Sequence, residues 1–186
     1  LPMWAERASP TTWHPHHIAE RYGLLTLIGL GESILSATTA LESAFTSGNA
    51  LSDLAPLIAG GLLIVYSMWW IYFDRPAHDL LTSMGKAFVW GYGHYFVFGS
   101  AAAVGAGLAV AVDAATHQGK IGLVGAGAAV AVPVATYLVC LWILHYRPEY
   151  RRTKFYGPVA AVLVLLTPLT GHAVPLSGLI LAVLVA

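Results

Sequence analysis

The chain has 186 residues, nine basic and nine acidic, and a formal net charge of zero. Hydrophobic residues make up 58% and charged residues 10%, against about 25% charged in a soluble domain. That is too few charges to cover a water-facing surface, and no basic patch is present to hold nucleic acid.

The apolar runs approach the roughly 20 residues that cross a bilayer. The class they define is all-α: a polytopic integral membrane helical bundle, one transmembrane domain over residues 1–186, with the lipid bilayer as its first partner. The chain starts without Met and ends in "LILAVLVA", so both ends read as cuts in a longer chain.

In chain order, the first helix is expected over 18–41, with Pro15 just before it and Glu20 in its first turn. The second covers 54–73 and stops at "DRP", because Pro76 disfavours helix in the residue before it. The third covers 85–112, the fourth 121–145 with Pro133 as a kink, and the fifth 155–169. The segment 176–186 is too short to span and reads as a truncated sixth. Gly99, Ala103 and Gly107, four apart, predict a small-residue ridge for close helix packing.

With this alternation, Arg7, Arg21, Arg75, Lys86, Arg147, Arg151, Arg152 and Lys154 fall on one side and Lys120 on the other. Positive charge marks the cytoplasmic side, so loops 74–86 and 146–154 are expected there.

The first helix carries an unusual set of charges. At about 100° per residue, His17, Glu20, Arg21, Glu32, Ser36 and Thr39 share one broad arc, interrupted by Leu24 and Leu35. Glu32 lies roughly 18 Å along the axis from Glu20. That places Glu32 near the bilayer centre, where a charge costs at least about 2.5–3.5 kcal/mol. It is therefore expected to face the bundle, held neutral by a bound proton or paired.

Two readings stand for it: a buried carboxyl that holds helices together, or a proton or cation site. His94, about 12 Å inward from Lys86, is the partner expected for it, or else a packing histidine. His17, Glu20, Arg21, Asp74 and Arg75 meet at one membrane interface, as a charge network or as ordinary salt bridges that set helix register.

The "HPHH" cluster, His14, His16 and His17, lacks the defined third and fourth ligands of a metal site. No metal or cofactor is expected. Cys140, the one cysteine, reads as a small core residue. With no GxSxG element, P-loop or CxxC pair, no enzyme is expected. The leading reading is a proton- or cation-linked transporter or channel for an unidentified small solute or ion. The alternative is a non-transporting scaffold or assembly subunit in a helix-mediated oligomer or larger complex.

Three segments carry a family resemblance. "HHIAERYGLLTLIGLGES" resembles the H-x-x-E-R-[FY]-G-L-x-T-[IL]-x-x-L-G-E signature of the bacterial low-temperature-requirement A proteins. "MWWIYFDRPAHD" is similar to their WW-x-YFD segment, and "GYGHYFVFG" to their Y-x-H segment. The matching positions include His17, Glu20, Arg21, Gly23, Glu32, Trp69, Trp70, Tyr72, Phe73, Asp74 and His94. The resemblance implies the C-terminal part of a multi-pass protein of the bacterial plasma membrane, with a polar face common to the family. It leaves the mechanism open.

Overall fold

The computed structural model describes residues 2–9, 12–48, 51–117, 120–146 and 156–186. Within them the chain is helical, without strands. A short helix α1 (Pro2–Ala8) leads to α2 (Pro15–Thr46), α3 (Leu51–Phe73), a 3-10 turn Ala77–Leu80 and α4 (Met84–Ala115). Then come α5 (Leu123–Leu141), a π turn Trp142–Tyr146, α6 (Tyr156–Leu166), a 3-10 turn Thr167–Thr170 and α7 (Ala173–Val185).

Four helical stretches are long and apolar enough to cross a membrane: Pro15–Thr46, Leu54–Phe73, Met84–Ala115 and Leu123–His145. These match the first four expected spans. The fifth runs as a shorter apolar piece, Tyr156–Thr170, and turns at Gly171 in the left-handed conformation (φ 75°) into Ala173–Val185.

The local chemistry explains how α2 tolerates its polar residues. Pro15 occupies the first turn, where its missing N–H costs nothing. The hydroxyls of Thr26, Thr38, Thr39 and Thr46 each donate to the carbonyl four residues back, and that of Ser33 is shared between the Gly29 and Ala101 carbonyls, so none of them is left unpaired in an apolar helix.

Helix α4 is central. It packs on α2 along one side and on α5 along the other, while α7 lies on α3 and α6 on α5. The core joins Val97, Val104 and Leu108 of α4 to Val130, Val134 and Leu141 of α5 and to Ile64 and Met68 of α3. The buried Tyr137 hydroxyl donates to the Met68 carbonyl at 2.9 Å and ties α5 to α3.

Small residues set the closest approaches, as expected where lipid removes the hydrophobic drive between helices. A Cβ at Gly105 would come 2.6 Å from Ser33 Cα, and one at Gly178 would come 2.6 Å from the Gly60 carbonyl. A Cβ at Gly107 would land on the Ala129 carbonyl. Pro133 has no N–H to bond that carbonyl, four residues back, so the backbone of α4 closes on the carbonyl that proline frees.

The ridge expected from Gly99, Ala103 and Gly107 is therefore corrected. Gly107 is at an interface, Ala103 is half-buried, and Gly99 is exposed with open space around it. The functional pair of glycines on α4 is Gly105 and Gly107, two apart, because α4 contacts helices on two sides.

Candidate functional site

The interior of the bundle holds a polar node on His94, which is 0% exposed. Its Nδ1 lies 2.7 Å from the Trp90 carbonyl, one turn back on α4, and its Nε2 lies 3.0 Å from the Tyr72 hydroxyl on α3. A carbonyl only accepts, so Nδ1 carries a hydrogen. In the neutral imidazole Nε2 is then the acceptor and Tyr72 the donor. Two protein groups thus select one tautomer. Protonation of Nε2 would reverse the second bond, with the imidazolium donating to the phenol oxygen.

Aromatic side chains enclose the ring. Tyr22 of α2 meets His94 edge-on, with centroids 5.0 Å apart, and packs on Trp90 at the same separation. Thr26, one turn along α2, is buried, and its hydroxyl donates to the Tyr22 carbonyl at 2.9 Å. Gly23 admits the Phe73 ring: a Cβ there would come 3.2 Å from Phe73 Cε1.

A second imidazole, His145, enters from the π turn after α5. It is 4% exposed, its centroid lies 5.8 Å from that of His94, and it stacks on Trp90 at 11°. A π turn re-aims a side chain that an α-helix would point elsewhere. His145 was missed from sequence. The available signal was an imidazole at the end of an apolar run. The Trp90 indole N–H is buried and has no hydrogen-bond partner among the described residues.

The fold separates the other expected site residues. Glu32 does not meet His94. It is exposed on the outer face of α2, while Gly23, Thr26, Leu30, Ser33 and Ala44 face the bundle. By the helical period those five lie roughly opposite the polar arc. The expectation that Glu32 faces the bundle is corrected for the described residues. The packing face is chosen by small and hydroxyl side chains that allow close approach, and the charged arc turns outward.

The expected charge network resolves into two pairs. His17 Nδ1 lies 3.9 Å from Glu20, both exposed, and Arg75 Nε lies 3.5 Å from Asp74. Glu20 has His17, not Arg21 or Arg75, as its ion-pair partner among the described residues. Arg21 points outward and makes no ion pair among them.

His16 stacks on His78 of the 3-10 turn at 3.8 Å, and His78 lies 3.3 Å from Asp79. No cluster of three or more potential metal ligands converges among the described residues. Trp69 and Trp70 are exposed on α3, next to the Tyr66 ring, which is tilted by 36° and 37° to theirs. Residues 147–154, expected to hold four basic side chains, lie outside the described residues.

Four apolar spans around a buried histidine–tyrosine node define a multi-pass helical membrane protein. The family model for the bacterial low temperature requirement A protein (LtrA) matches residues 1–186. The chain belongs to that family. Comparison with curated proteins and with solved structures gives no match.

Proposed function

We propose that the protein moves a proton, a cation or a small solute across the bacterial plasma membrane, with no enzymatic step. Loops 74–86 and 146–154 would lie in the cytoplasm. The observation that carries this reading is His94. It is a titratable group inside the membrane-spanning bundle, held in one tautomer, hydrogen-bonded to a phenol, and beside a second imidazole. Ionisable groups at such depth are costly and mark ion or proton paths. In this reading His94 and Tyr72 hold the proton, and His145 is the adjacent acceptor site. The two apolar pieces after residue 155 complete the count as a fifth crossing and part of a sixth.

Glu32 then acts from the outer face of α2, where a carboxyl needs a polar partner. A helix-mediated oligomer or larger complex would supply one. That same outward arc supports the second reading, a scaffold or assembly subunit, in which His94 only fastens α3 to α4.

Proton flux into proteoliposomes, followed with an internal pH dye, separates the two. His94→Gln keeps hydrogen bonding at one position but cannot carry a proton at pH 7. A folded His94→Gln variant without flux supports transport. A folded variant with unchanged flux removes His94 from the path, and a wild-type protein with no flux for protons or common cations favours the scaffold.

A further inference from the structure

A recess of about 560 Å³ opens where the chain enters α2, lined by Thr12, Trp13, His14, His17, Ile18 and Arg21. That volume falls in the range of small-molecule sites, about 300–1,000 Å³. Trp13 and Ile18 pack on the buried cluster of Leu81, Ala87 and Trp90, so the apolar part of the wall is anchored to α4 and to the segment before it. His17 and Arg21 lie one turn apart on α2 and share a face. His14 reaches His17 from the extended residue ahead of the helix, with ring centroids 5.3 Å apart and tilted by 58°.

Each polar side chain on this wall can donate a hydrogen bond, and no carboxylate lines it among the described residues. The positive charge rests on Arg21, which is exposed and has no ion-pair partner among the described residues. Glu20 stands outside the wall and faces His17 Nδ1 at 3.9 Å, so His17 contributes an N–H rather than net charge. Helix α2 also starts without a side-chain cap, and its positive end adds to the field. A guanidinium fork, two imidazoles and a hydroxyl offer donors from several directions. They suit the tetrahedral oxygens of a phosphate better than the two coplanar oxygens of a carboxylate. A cation would be repelled by Arg21, and a neutral apolar ligand would gain nothing from it.

We propose that this recess binds a phosphate group, either of a phospholipid headgroup or of a soluble phosphomonoester. The assignment does not rest on transport. It gives Arg21 a partner that the bundle does not supply. Trp13 borders the recess, and tryptophan rings favour the headgroup level of a bilayer, the depth at which a lipid phosphate lies.

The test is calorimetric titration of the full chain in dodecyl maltoside, a detergent without phosphate. The probes are glycerol 3-phosphate, dihexanoyl phosphatidic acid and its phosphate-free counterpart dihexanoylglycerol. Saturable binding of at least one phosphorylated probe is expected, with dihexanoylglycerol weaker by about tenfold or more. Arg21→Gln should weaken that binding by about tenfold or more. Arg21→Lys should weaken it less, because the charge remains and only the fork is lost. Arg21 is exposed, so both variants should keep the wild-type melting temperature. Lys86→Gln removes another exposed charge, one bonded to Thr82 at the start of α4, and should leave binding unchanged.

The two phosphorylated probes distinguish the sources. Phosphatidic acid tighter than glycerol 3-phosphate by about tenfold or more assigns the site to a lipid headgroup, and any smaller difference assigns it to a soluble ester. No saturable binding of either, equal binding of dihexanoylglycerol, full binding by Arg21→Gln, or an equal loss with Lys86→Gln would each overturn the proposal.

Discussion

The Tyr72 hydroxyl donates to His94 Nε2 across 3.0 Å, and the Trp90 carbonyl fixes the direction of that bond by accepting from the opposite nitrogen. Tyr72→Phe removes the donor and leaves a buried ring nitrogen unpaired. The expected cost is about 1–3 kcal/mol, read as a lower unfolding midpoint in detergent. His94→Phe in the Tyr72→Phe background removes the orphaned acceptor too, so the double variant should recover part of the loss. A double variant with the summed cost of both singles would show that the pair does not interact.

Sidedness has its own test. Ser83, at the start of α4, and Ser47, at the end of α2, are both exposed and lie at opposite ends of the bundle. In a Cys140→Ala background, single cysteines at these sites should respond oppositely to an impermeant thiol reagent on intact cells. Ser83→Cys should be protected and Ser47→Cys labelled. The reverse pattern would invert the topology drawn from the basic residues.

The length of the apolar runs made the first four spans legible, because lipid imposes one length and one hydropathy on every crossing. Gly23, Tyr72, Phe73 and His94 were also visible as motif positions, and Tyr22 was not singled out. What joined them was not visible. Tyr72 and His94 are 22 residues apart, and only the α3–α4 packing shows that one donates to the other. Periodicity identified the arc carrying Glu32 but could not say which way it turns. A helical period gives the relative angles of side chains but not the rotation of the helix against its neighbours. The rotation of α2 was decided by Gly29, Ser33 and Gly105, whose signal is absence of bulk. His145 depended on a π turn that hydrophobic periodicity does not register.

Gly107 and Gly99 make a paired prediction about α4. Gly107→Ala drives a methyl into the Ala129 carbonyl, which Pro133 has no N–H to bond. Neither side is a flexible side chain, so the backbones must separate, at a cost of about 1–3 kcal/mol. Gly99→Ala meets open space and replaces a poor helix former by the best one. It should be neutral or stabilising by up to about 1 kcal/mol. Equal melting of the two variants would mean that α4 and α5 do not meet at Gly107.

Glu32 and Ser33 are neighbours that should behave in opposite ways. Ser33 is 1% exposed. Its hydroxyl donates to the Ala101 carbonyl of α4 at 2.7 Å, and its Cα faces Gly105. Ser33→Leu adds bulk where two backbones touch and removes a hydrogen bond between α2 and α4, so it should destabilise the bundle by about 1–3 kcal/mol or more. Glu32 lies on the outer face of α2 and makes no ion pair or side-chain hydrogen bond among the described residues. Glu32→Gln should therefore shift stability by no more than about 0.5 kcal/mol, whatever it does to flux or assembly. Unfolding of both variants in one detergent, followed by tryptophan fluorescence, makes the comparison. A Glu32→Gln variant that melts well below a near-native Ser33→Leu variant would mean that α2 is rotated, with its charged arc inside the bundle.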